Sequence, residues 1–207
     1  LPLLGGAVVF LVLLAALVKK PRLQSPLLFG FFGAGMALLG LAGNAVYHVG
    51  DAQVLGTVFE EGAWVYVSYG TVLALLGGLV YWGPKLWGRS IPDKQVLPLA
   101  LLGVLATILA ALPYYIAGFA DQPADATLFS YSGPQELWNT LAAVGHGLMA
   151  LTVLAFVAVA LRSFVSGEHA GDDPWDGQTL EWATSSPAPA DNFAEIHVIA
   201  SAEPLLD

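Results

Sequence analysis

The chain has 4 His, no Cys and the adjacent acids Glu60 and Glu61, and these bound the chemistry open to it. Without Cys there is no disulfide, no thiolate metal ligand and no thiol nucleophile. His169 and His197 fall in a polar C-terminal stretch and read as solvated side chains. His48 closes an apolar run, where an interfacial polar residue is ordinary and a metal ligand is the sharper alternative. His146 lies inside an apolar run, and an ionisable group there is a functional candidate. It reads as a neutral imidazole hydrogen-bonded to a neighbouring helix, with iron ligation as the alternative. Glu60 and Glu61 could act as general acid and base if buried, but they sit in an acidic loop and read as a solvated face. No nucleophile–base arrangement is visible.

The elements that must position these groups are apolar. Mean hydropathy is +0.69, 57% of residues are hydrophobic and 11% are charged, which excludes an ordinary soluble domain. The net charge of −9, mostly in tail and loops, speaks against a nucleic-acid partner. Five apolar segments, 3–18, 26–47, 63–82, 95–118 and 138–163, predict helices in a lipid bilayer. A hydrocarbon core about 30 Å thick needs about 20 helical residues, so the first is marginal and the others suffice. Tyr47, Trp64, Trp82, Trp87, Tyr114, Tyr115 and Trp138 suit interfacial anchors, and Gly inside the spans suits close helix packing. Neither the Gly77-Gly78 pair nor the GFFGAG stretch has the context of a phosphate loop. The sequence opens Leu-Pro without Met, and an N-terminally truncated sequence is expected. The fold expected is an all-α membrane protein, with a five-helix transmembrane domain over 1–166 and an extended polar tail over 167–207.

Charge fixes the expected topology. The 7 basic residues lie after the first segment (Lys19, Lys20, Arg22), between the third and fourth (Lys85, Arg89, Lys94) and after the fifth (Arg162). With alternating spans these places share one side, and the loops opposite hold Asp51, Glu60, Glu61, Asp121, Asp125 and Glu136. Positive-inside bias then puts the C-terminus in the cytoplasm. In the tail, Trp175 and Trp182 are large apolar rings in a polar segment, and they predict that 173–193 is pinned against cytoplasmic helix ends or a neighbouring subunit.

The tail also carries the most specific motif. Asp173-Pro174-Trp175-Asp176-Gly177, then Thr179-Leu180-Glu181-Trp182-Ala183-Thr184-Ser185-Ser186-Pro187 and Asn192-Phe193, resembles the C-terminal segment of cytochrome c oxidase (haem–copper oxidase) subunit I. Trp82-Gly83-Pro84-Lys85-Leu86-Trp87-Gly88-Arg89 resembles that family's W-x-P-K-x-x-G-R turn, and Ser25-Pro26-Leu27-Leu28-Phe29-Gly30-Phe31 the start of its ninth helix. The closing Ala202-Glu203-Pro204-Leu205-Leu206-Asp207 is similar to the join where subunits I and III are fused. The resemblance spans essentially the whole chain, as helices eight to twelve plus the tail, and Pro84 is expected to end the third span.

The resemblance implies functional positions, and here they are changed. The stretch from Asp51 to Tyr66 lies over the family's H-D-T and H-F-H-Y, keeping Thr57 and Tyr66. The His-Asp pair becomes Leu55-Gly56, and the two haem-ligating His become Ala63 and Val65 around Trp64. Neither side chain has a lone pair for iron. The Lys of a proton path falls near Val8 or Val9, and the propionate-holding Arg pair becomes part of Gly118-Phe119-Ala120-Asp121-Gln122. An acid there repels a propionate. The matching family helix supplies no iron ligand at His146.

The resemblance thus implies a haem-free relative or fragment of oxidase subunit I, with neither haem nor copper in this chain and no catalysis by it alone. Its role would be structural, in an aerobic respiratory complex of a prokaryotic plasma membrane. Expected partners are the lipid bilayer, the remaining part of subunit I, and subunits II and III, with Trp175, Glu181 and Trp182 serving assembly. Two alternatives stay open: the C-terminal part of a working terminal oxidase that reduces O2 with electrons from cytochrome c, or a small membrane transporter.

Overall fold

The computed structural model describes residues 2–18, 21–125, 130–191, 193, 199–201 and 205. Lys19, Lys20, Asn192, His197 and most of the closing 202–207 stretch lie outside the described residues. Five helices follow in chain order: α1 (Pro2–Val18), α2 (Ser25–Tyr47), α3 (Phe59–Trp87), α4 (Asp93–Phe119) and α5 (Pro134–Ser166). Among the described residues there is no β-strand. Helices α2 to α5 are long and apolar enough to cross a bilayer. At 17 residues α1 is about 26 Å long, short of a core about 30 Å thick, and none of its residues is buried.

Local chemistry sets the helix ends. Pro26 sits in the first turn of α2, where its missing N–H costs no hydrogen bond. Glu60 and Glu61 occupy the first turn of α3 and face the positive end of the helix dipole. At the far end Gly88 takes φ 76°, the left-handed conformation that closes a helix, and its N–H donates to the Pro84 carbonyl at 2.8 Å. The helix therefore runs straight through Pro84, which corrects the expectation that this proline ends the span. A proline ring removes its own N–H bond and crowds the carbonyl four residues back, which weakens a helix without having to end it, and Gly88 rather than Pro84 supplies the stop. Helix α5 likewise overruns the expected 138–163 at both ends.

Packing is built on small residues. Helix α2 packs on α3, α3 on α4, α4 on α5, and α1 on the outer side of α2. At the α2–α3 seam Gly33 faces Gly70, and a Cβ added to Gly70 would lie 2.6 Å from both the Ala37 nitrogen and the Gly33 carbonyl oxygen. Without a hydrophobic drive between helices in lipid, this backbone approach is the source of their dispersion energy. Larger groups fill the seam's end, where Phe29 of α2 meets Phe156 of α5 edge to face at 5.8 Å.

The end opposite the tail is tied through loops. The Val58 N–H donates to the Gln122 carbonyl at 3.0 Å and the Ala124 N–H to the Gly56 carbonyl at 2.9 Å. The Gln122 and Asn139 side-chain amides bond reciprocally, at 3.1 and 2.9 Å, and so join this loop to α5.

Gly70→Val should destabilise the α2–α3 pair by about 2 kcal/mol or more through overpacking against backbone. Gly147→Val, where an added Cβ meets nothing within 4 Å, should stay within about 0.5 kcal/mol of the parent. Denaturant unfolding in detergent, followed by helical circular dichroism, measures both.

Candidate functional site

Three helices bring the candidate residues together in the membrane region. Ala63 is buried, and its carbonyl backs onto Gly40 of α2, where an added Cβ would lie 2.6 Å from the Ala63 oxygen. Val65 is half-buried. Trp64 between them is 54% exposed, and its indole N–H donates to Glu60 Oε1 at 3.3 Å. Tyr66 is buried with its ring 5.4 Å from that of Tyr115. The space beside Ala63 is therefore taken by helix packing. A methyl and an isopropyl group offer no electron pair to iron, so these residues do not fit haem ligation.

The other positions give the same picture. Leu55 is exposed and Gly56 occupies a left-handed turn at φ 77°. Val8 and Val9 are exposed on α1. Asp121 lies in an exposed turn at φ 57°, while Gln122 is committed to Asn139. Among the described residues, no three His, Asp or Glu side chains converge into a metal-binding group.

Among the described residues, His146 on α5 has one polar partner, Tyr69 on α3, with the hydroxyl 2.6 Å from Nδ1. The Tyr69 and Tyr114 rings lie 5.6 and 6.2 Å from the imidazole, so α3 and α4 both flank it. With the phenol donating to Nδ1, the neutral ring keeps its proton on Nε2. This pair joins two helices through residues 77 positions apart in the chain, and nothing in the sequence pointed to Tyr69.

His48 lies just beyond α2, exposed, with Nδ1 2.7 Å from the Asn44 carbonyl. His169 is exposed on the tail, its backbone bridged to Arg89. Glu61 is exposed and Glu60 half-buried.

The densest polar cluster lies where the tail meets the end of α3. Lys85 is 8% exposed. Its ammonium donates to the carbonyls of Asp172 at 2.8 Å, Ser185 at 3.4 Å and Thr184, and stands 5.4 Å from the Trp182 ring centre. Trp182 is buried, stacked on Trp82 at 5.8 Å and edge-on to Tyr81 at 5.2 Å. The Trp175 indole N–H donates to the Tyr81 carbonyl at 2.9 Å while its ring stacks on the Tyr81 ring.

Backbone bonds complete the seam: Ser90 N–H to Glu168 carbonyl, Ala170 N–H to Gly88 carbonyl and Ala188 N–H to Lys85 carbonyl. The Arg89 guanidinium donates to the Gly167 carbonyl. A 3-10 turn, Leu180–Trp182, interrupts the expected extended run and includes the half-buried Glu181. The turn is what swings Trp182 inward. Both tryptophans stood out in the sequence, whereas Lys85 read only as an interfacial cation.

Comparison with known proteins places relatives over most of the chain. Cytochrome c oxidase subunit 1 of Thermostichus vulcanus is 29% identical over 184 residues, covering 87% of this chain and 33% of that protein. The protein of the same name from Synechocystis sp. is 32% identical over 187 residues, covering 87% of this chain and 33% of its own length. Heme-copper oxidase subunit I+III of Aeropyrum pernix is 34% identical over 158 residues, covering 72% of this chain and 18% of that protein. The chain thus spans a third or less of these curated relatives. No family model matches it.

Trp182→Ala should release the tail. Losing a buried indole costs about 3 kcal/mol, and cleavage between Asp176 and Asp191 in limited proteolysis should rise roughly a hundredfold. An unchanged cleavage rate in the intact membrane complex would refute the packing role of this ring.

Proposed function

This integral membrane protein is homologous, over most of its length, to cytochrome c oxidase subunit 1, and on that premise we propose that it is a haem-free structural part of an aerobic respiratory complex. The observation that carries the reading is the pair Ala63 and Val65. The resemblance calls for His at both positions, and helix packing occupies the space beside Ala63. The sequence likeness to subunit I runs through the helices and the tail, while the ligand positions differ from it. On this reading neither haem nor copper belongs to this chain, which is not catalytic alone.

Its partners are the bilayer, the remaining part of subunit I, and subunits II and III. Trp175, Glu181 and Trp182 order the tail for that assembly. The relatives come from bacteria and an archaeon, in keeping with a prokaryotic plasma membrane. All 5 helices cross it in this reading, α1 by adjusting to local thickness. The basic residues Arg22, Lys85, Arg89, Lys94 and Arg162 collect at the tail-bearing end, which supports a cytoplasmic C-terminus.

Two measurements test this. Reduced-minus-oxidised spectra of the isolated chain should be flat. A haem band abolished by replacing His146 would establish the working-oxidase reading instead. Orientation is accessible because the chain has no Cys. With a membrane-impermeant maleimide, Leu55→Cys should label in intact cells and Glu168→Cys only after permeabilisation. The reverse pattern overturns the orientation.

A further inference from the structure

A groove of about 660 Å³ opens between α1, α2 and α3 at the tail-bearing end. Leu13, Leu27, Phe31 and Ala74 form its apolar walls, and Arg22, Gln24 and Trp175 surround its mouth. Along α3 it runs from Tyr81 to Ala74, about 10 Å at 1.5 Å per residue, so it enters the level of the lipid chains. The charged and amide side chains of its lining, Arg22, Gln24 and Asp176, belong to the segments at the mouth. We propose that the groove holds a membrane phospholipid with an anionic headgroup, one acyl chain between the helices and the phosphate at Arg22.

The glycines of the groove separate this use from ordinary packing. Gly77 is required by a neighbour, since a Cβ there would lie 2.8 Å from Phe29 Cβ and 2.9 Å from the Pro26 carbonyl oxygen. Gly30 and Gly78, which also line the groove, have nothing within 4 Å of an added Cβ. Glycine is a poor helix former, and no helix contact accounts for these two. Their missing side chains make the groove.

Charge selects the headgroup. Lys85 and Arg89 are already engaged by tail carbonyls. Arg22 is different: among the described residues its guanidinium meets Asp176 alone, at 3.5 Å, with side chains 77% and 78% exposed. An exposed pair of this kind is weak, and a phosphate can displace the carboxylate with a bidentate contact. The tail then serves as the rim of the groove, through Trp175, Asp176 and Gly177.

The inference is independent of whether haem is bound. Native mass spectrometry of the intact complex, titrated with phosphatidylglycerol or phosphatidylcholine of identical chains, tests it. The parent should bind one phosphatidylglycerol per chain about fivefold more tightly than phosphatidylcholine. Gly78→Leu should abolish that event while leaving helix content and unfolding in detergent unchanged. Arg22→Gln should keep the lipid and erase the headgroup preference. Equal binding by the parent and Gly78→Leu, no headgroup preference in the parent, or a neutral isoprenoid recovered in place of phospholipid would each overturn the proposal.

Discussion

A buried ammonium must be surrounded by oxygen, and much of this molecule is arranged around that demand at Lys85. The residue sits in the last turn of a membrane helix with little access to water. Leaving a cation there without partners is prohibitively costly. Three tail carbonyls supply the oxygen, and an indole face covers the remainder. Because the acceptors are backbone groups, composition matters less than path: the tail must pass Lys85 at residue 172 and again at 184 and 185. The 3-10 turn between the two passes carries Trp182 into the space that the loop encloses.

The two ends of the bundle are therefore held differently. At one end a polar segment wraps a helix terminus and adds aromatic stacking. At the other, loops meet through a few backbone bonds and the Gln122–Asn139 amide pair. Between them the helices approach on glycine, and the His146–Tyr69 bond crosses from α5 to α3 beside the Tyr114 ring of α4. Among the described residues, the helices are fastened to one another by close packing and by hydrogen bonds.

The helices were legible in the sequence because uninterrupted apolar length is read one residue at a time. Their ends were less so. Pro84 looked like a stop, but a proline deletes one hydrogen bond and the chain ends the helix only where Gly88 turns left-handed. Chemical positions on a single helix, such as Ala63 and Val65, could be read from spacing. Partnerships across helices could not, since nothing local to His146 points to Tyr69 and nothing local to Lys85 points to Thr184. The tryptophans lay between these cases: their apolarity announced burial, but not the surface that would accept them.

The separation in chain between Lys85 and its acceptors also has a consequence in time. The nearest acceptor lies 87 residues downstream and the farthest 100. At ribosomal speeds of roughly 5–20 residues per second, the ammonium waits roughly 5–20 s for its last partners. During that interval α4 and α5 are being made, and the lysine must remain hydrated at the membrane surface. A nascent chain held there by a wet cation cannot slide α3 deeper into the lipid. The seam with the tail closes last, so newly made protein passes through a stage whose helices are complete while this end is still open to water.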